Sequence, residues 1–411
     1  TLASNSNLPV YIFMSVIVAL FMGLSVSAEE IIKDRKILKR EEFLNLGWNS
    51  YLFSKIGVQF LISAIQAFLF VVIGNSVMEI KGMYLEYWVI LFSAWCFSNM
   101  LGLVISDSFK TVITIYILIP FLIIPQLILS GVIVKYEKLN PDISNPRTVP
   151  FYGELFAARW AYEGLAVHQF KDNAYEKNFY LLDKTLSKAN YKRNYWMPAL
   201  QNKISFCRRH LNEPENKASV KENLSLIRNE LSEEMNSASA RLVNFNRMDE
   251  LYYDEIEAST FKALNDYFTL LKRYYNKLHE KARIKKDQKI AELQGYVGGK
   301  EAFLALARNH HNEKLADFVK NTEGIHRIIE YKGKLVQKID PVFNDPGYPL
   351  IKAHFYAPRK QLFGEYYSTF WVNVIVIWLM SIILYFILYF RLLRRFIMFM
   401  ERRHFIPKKP R

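Results

Sequence analysis

Five stretches of this chain run for 20 residues or more without a charged side chain: Leu8–Ala28, Ile56–Met78, Tyr87–Ser106, Thr111–Val134 and Tyr366–Phe390. Nothing else in the sequence constrains the fold as much. At about 1.5 Å of rise per residue, each stretch is long enough to cross the hydrocarbon of a bilayer. Inside lipid each must satisfy its own backbone N–H and C=O groups, which makes it a helix. The expected fold class is therefore all-α, a polytopic membrane helix bundle with five visible spans.

Charge then sets orientation and domain limits. The connector 29–48, EEIIKDRKILKREEFLNLGW, holds Lys33, Arg35, Lys36, Lys39 and Arg40. The segment after the last span holds Arg391, Arg394, Arg395, Arg402, Arg403, Lys408, Lys409 and Arg411, whereas the turn after the second span holds only Lys81. Lys and Arg in short loops mark the cytoplasmic side, so the connector and the C-terminus are expected there. Five alternating spans leave Thr1 outside; one further span before it would make six. The chain opens on Thr1 rather than Met, and we expect it to begin inside a longer polypeptide. The net charge of +15 is accounted for by such flanks, and the basic tail is read as contacting lipid headgroups rather than nucleic acid.

Three parts are expected. Residues 1–134 carry the first four spans and the connector, 135–365 form an extracytoplasmic domain, and 366–411 carry the last span and the basic tail. Pro120 and Pro125 predict a kink in the fourth span. Within the large domain, Phe151, Leu155, Ala158, Tyr162 and Leu165 make one apolar stripe, which predicts a helix over 151–170 lying at the outer membrane surface, with Arg159 and Glu163 paired one turn apart. Phe261, Leu264, Phe268, Leu271, Tyr275, Leu278 and Ala282 alternate by three and four, and Val220, Leu224, Ile227 and Leu231 do so more loosely. These two seams predict an antiparallel helical hairpin over 214–293. Cys96 and Cys207 fall in different parts and are not expected to pair. A large external domain without disulfides suits a bacterial envelope.

No catalytic constellation emerges. Gly295–Lys300 has the wrong spacing for a phosphate-binding loop, and Glu301 stands where Ser or Thr would hold magnesium. His310 and His311 lack the partners of a metal site. The spans contain Gln59, Ser63, Gln66, Asn99, Gln126 and Asn373 but no Asp, Glu, Lys or Arg, which disfavours ion-coupled transport. The driving energy is then expected to enter through the connector.

The connector carries a resemblance. An apolar helix followed by Glu29-Glu30, Asp34-Arg35, Ile37-Leu38 and Arg40-Glu41, with Ser50-Tyr51 and Lys55 opening the next span, resembles the membrane domain of bacterial, G-subfamily-like type-2 ABC exporters. Pro125-Gln126-Leu127-Ile128-Leu129-Ser130-Gly131 and Arg159-Trp160-Ala161-Tyr162-Glu163 are similar to further family segments. The resemblance covers about 1–170 and 355–411 and leaves 171–350 as an enlarged insertion. It implies an ABC exporter permease in the inner membrane, paired as a homodimer or with a similar second half. ATP and magnesium would sit on an ABC ATPase domain, fused ahead of Thr1 or separate. The connector would be the coupling helix, with Glu30, Asp34, Arg35, Arg40 and Glu41 engaging the ATPase. Gln66, Asn99, Gln126, Leu127 and Asn373 are candidates for the substrate path. Two other readings stay open: a mechanotransmission protein that drives an envelope partner through 214–293, and a membrane anchor of an envelope complex.

Overall fold

The computed structural model describes residues 1–41, 47–136, 139, 145–237, 239 and 242–404, with the side chains of Lys39, Glu41, Arg402, Arg403 and His404 left out. The chain divides into two compact units, 1–173 with 308–315 and 346–411, and 174–307 with 316–345.

The first unit begins with α1 (Leu8–Ser27), α2 (Glu30–Glu41), α3 (Trp48–Val77), α4 (Tyr84–Ser108) and α5 (Val112–Ile128). After a loop come the short α6 (Phe151–Glu154) and α7 (Ala157–Lys171). Among the described residues four helices are long and apolar enough to cross a membrane, and α5 is a shorter apolar helix of 17 residues. It ends at Ile128 rather than at the expected Val134. Gly131 takes a left-handed φ of 81° there and turns the chain away.

α4 is the centre of this unit. It packs against α1, α3, α7 and, near the C-terminus, α14 (Thr369–Tyr389). In its apolar window 83% of residues are buried, against 22% in α3, so two strongly apolar runs have opposite surroundings. The approach of α1 to α4 is close. A Cβ on Gly102 would overlap the Ser27 hydroxyl and meet the Leu24 carbonyl at 3.0 Å. Small residues let membrane helices approach in this way.

The stripe read over 151–170 is interrupted. The helix breaks between Glu154 and Ala157; Phe151 and Leu155 are exposed, and α7 from Ala157 to Val167 is buried on all sides. α7 therefore does not lie on a surface with one apolar face. It is packed among α1, α4 and α14.

The second unit contains α8 (Tyr180–Tyr191), α9 (Met197–His210), α10 (Lys217–Met235) and α11 (Ala258–Val297). A π-helical turn, Lys192–Trp196, joins α8 to α9. The seam residues of α11 are buried as their spacing demands, and α11 ends at Gly298 with φ 96°. The two helices expected as a hairpin pack mainly on other partners, α10 along α9 and α11 along α8. α12 (Lys300–His310) and α13 (Glu313–Lys320) follow. Then comes the antiparallel hairpin of β1 (Ile328–Tyr331) with β2 (Lys334–Gln337) and, back in the first unit, that of β3 (Arg359–Leu362) with β4 (Glu365–Ser368). The β4 strand takes in 366–368, so the last span starts at Thr369. α15 (Leu392–His404) closes the described chain.

Glu230 and Glu234 are buried carboxylates at the second unit's core. Glu230 accepts from the Trp196 indole N–H at 2.6 Å and from the Leu335 amide at 2.7 Å, which fastens β2 to α10. Glu234 meets the Lys192 ammonium at 2.7 Å and the Ser239 and Tyr275 hydroxyls at 2.5 Å each. Burial alone would raise the Glu234 carboxyl. The ammonium and these hydrogen bonds outweigh it, so the group sits below its ordinary value of 4.5. The stabilisation it supplies is then present above that value and is lost as pH falls through the lower folded value. Glu234→Gln is expected to cost about 3 kcal/mol at neutral pH and to flatten the acid side of the stability profile, as read by Trp fluorescence of the full-length protein in detergent.

Candidate functional site

The connector is held by reciprocal capping between two helix ends. α1 stops at Ser27 and α2 starts at Glu30, which leaves the first amides of α2 without intrahelical acceptors. The Ser106 hydroxyl, in the last turn of α4, accepts from the Ile31 and Ile32 amides at 3.0 Å each. In return, Arg35 Nη2 donates to the carbonyls of Ser106, Asp107 and Phe109 at 3.0, 2.9 and 2.6 Å. These are carbonyls that the end of α4 leaves open. A cation at a helix C-terminus is also favoured by the helix dipole.

The other charges of the inner face go to α3. Lys55 pairs with Glu30 at 2.9 Å and Asp34 at 2.8 Å, and the Tyr51 hydroxyl donates to Asp34 at 3.0 Å. Asp107 is almost fully buried and pairs with Arg394 of α15 at 3.3 Å. The Arg391 guanidinium stacks 3.9 Å above the Trp48 ring. Ends of α2, α3, α4 and α15 thus meet around 106–109.

α2 has two faces that its apolar pattern does not reveal. Ile31, Asp34, Arg35 and Leu38, spaced 3, 1 and 3, turn inward; Lys33, Lys36, Ile37 and Arg40, at the same spacing, are exposed. Of the five residues expected to meet a motor, Glu30, Asp34 and Arg35 are engaged inside this chain. Arg40 is on the open face. The side chain of Glu41 lies outside the described residues. Sequence reasoning does not identify Lys33, Lys36 and Ile37 as part of the exposed face, because period-3.6 reading follows apolar residues and the buried face here is half charged.

The substrate-path candidates are not gathered in one place. Gln66 is half-buried on α3. Asn99 donates to the Ser63 hydroxyl at 2.7 Å and ties α4 to α3. Gln126 accepts from the Ala158 amide at 3.1 Å and so caps the start of α7. Leu127 is half-buried, and its carbonyl accepts from Ser130 at 2.9 Å. Asn373 joins a second buried charge cluster.

That cluster is only partly readable in the sequence. Arg159 and Glu163 lie 3.7 Å apart, as their spacing implies, and both are fully buried. Lys360 of β3 reaches in from 197 residues downstream and pairs with Glu163 at 2.6 Å. Its ammonium also donates to Asn373 Oδ1 at 2.8 Å, while Asn373 Nδ2 donates to the Trp160 carbonyl at 2.8 Å. Glu154 takes Arg159 at 3.1 Å, so two cations face two carboxylates. Burial, and then the Arg159 guanidinium, push the Lys360 ammonium down to about 8 against the pull of Glu163.

Two variants separate these networks. Ser106→Ala leaves two amides unmet and is expected to cost about 1–2 kcal/mol. Lys360→Met strands a buried carboxylate and is expected to cost about 3–5 kcal/mol. Adding Glu163→Gln to Lys360→Met should restore most of that loss, as measured by thermal unfolding of the full chain in detergent.

Residues 1–170 match the model of the family described as ABC-2 type transporter, a membrane domain. No curated protein and no solved structure matches the chain. The matched stretch includes the connector, the helix ends that fasten it, and α7 with Arg159 and Glu163. It supports an ABC-2 permease, the multi-pass membrane part of an ABC transporter that works with an ABC ATPase.

Proposed function

We propose that this chain is the permease of an ATP-driven ABC exporter that moves an amphipathic substrate out of the cytoplasm or the inner leaflet. The observation that carries this reading is the two-faced connector. Its inner face is locked to α3 and α4, so a push on α2 is passed to the membrane helices. Its outer face offers Lys33, Lys36, Ile37 and Arg40, which suits an acidic groove on a cytoplasmic ATPase. ATP and magnesium belong to that ATPase. A second membrane half is part of the proposal. α5 exposes Ile113, Ile117, Phe121 and Ile124 along one face, which lipid or a second copy would cover.

The second unit favours one rival. It has a core of its own around Trp196, Ile227 and Phe268, so it could transmit motion to an envelope partner instead of shaping a transport path. Excision of 214–293 would abolish capture of such a partner under that rival and leave ATP hydrolysis in place under both.

The coupling reading is tested on the full-length protein with its ATPase in nanodiscs. Lys36→Glu with Arg40→Glu is expected to lower ATPase association about tenfold or more, equivalent to about 1.4 kcal/mol, without moving the thermal midpoint. Unchanged association, or a preparation that neither contains nor binds an ATPase, refutes the reading.

A further inference from the structure

The last described helix, α15, has two faces. Arg391 takes a φ of 52°, so the chain turns sharply as it leaves α14. One face of α15 then holds to the protein. Arg394 pairs with Asp107, Leu393 packs on the cluster of Ile31, Leu52 and Leu388, and Glu401 takes Lys110 at 2.7 Å. On the opposite face Leu392, Phe396 and Met400 follow one another at a spacing of four and are 48, 60 and 43% exposed. Arg395 is exposed at the border of this apolar arc.

The position of the arc indicates what covers it. α15 has 13 residues, too few to cross a bilayer, and it starts just after a span that ends at Tyr389. Its first turn is therefore at the level where hydrocarbon gives way to headgroups. Aromatic side chains that favour this level gather at the same end: Tyr385, Tyr389, Phe390 and Trp48 belong to the ends of α14 and α3. A short helix with an apolar arc, bordered by a cation and starting at that depth, fits the plane of the interface.

We propose that α15 is an interfacial membrane anchor: Leu392, Phe396 and Met400 enter the acyl boundary, Arg395 meets anionic headgroups, and the Arg394–Asp107 pair ties the connector's end of α4 to the bilayer surface. The occupant is lipid, and the proposal holds whether or not an ATPase docks on α2. A second copy or a protein subunit on this arc is the competing outcome.

The test uses the full chain in nanodiscs of phosphatidylcholine, alone or mixed with phosphatidylglycerol. Both native cysteines are buried and free, so a nitroxide can be placed on Phe396→Cys or Met400→Cys, with Lys36→Cys as the aqueous control. At 396 and 400, oxygen should quench more than a water-soluble nickel complex; at 36 the order should reverse. Nickel access at 396 and 400 equal to that at 36 overturns the proposal. So does low access of both oxygen and the nickel complex at 396 and 400, which would mean protein cover. Should a cysteine variant fail to fold, Phe396→Trp read by brominated-lipid quenching gives the same answer. Arg395→Gln should weaken association of spin-labelled phosphatidylglycerol about fivefold; no change overturns the headgroup contact.

Discussion

Two helix ends that would otherwise expose unmet backbone groups satisfy each other in this protein. α2 begins with free amides and α4 ends with free carbonyls. Ser106 serves the first and Arg35 the second. Unmet polar groups are costly beside a low-dielectric phase. The bond set therefore resists separation of the two ends, and it fixes which face of α2 points inward. The outward face, and with it any docking surface, follows from that choice.

The same logic recurs in the second buried network. Arg159, Glu163 and Lys360 are fully buried, a costly state for any of them alone. They come from α7 and β3, and Asn373 from α14 joins them, accepting from Lys360 and donating to Glu163 and to the Trp160 carbonyl. Such a cluster contributes less to net stability than to specificity: β3 docked in another register would strand a charge.

Much of the membrane part is legible in the sequence. Long charge-free runs have no alternative to helices in lipid, so α1, α3, α4 and α14 are readable, with end errors of a few residues. The Arg159–Glu163 pair is readable from its one-turn spacing. Lys360 is not, because nothing in a local window links it to a carboxylate so far upstream. α7 shows a different limit. Its stripe suggests a surface helix, yet neighbours cover every side of it, and hydrophobic periodicity cannot register how many elements pack around a helix. The seam of α11 is readable and its partner is not, since a heptad states that a face is buried but not what buries it.

By itself, the sequence determined that the chain crosses a membrane, where the charged connector lies, and that a charged insertion large enough for its own core interrupts the spans. These follow from local composition, because transfer of charge into hydrocarbon is costly whatever the rest of the chain does. Only the tertiary structure decided that α4 is central while α3 is peripheral, that Glu30, Asp34 and Arg35 face inward, and that Lys33, Lys36, Ile37 and Arg40 are exposed. Those outcomes depend on which distant groups meet, and pairing between Arg35 and the end of α4, or Lys360 and Glu163, is a property of geometry that no single stretch of sequence contains.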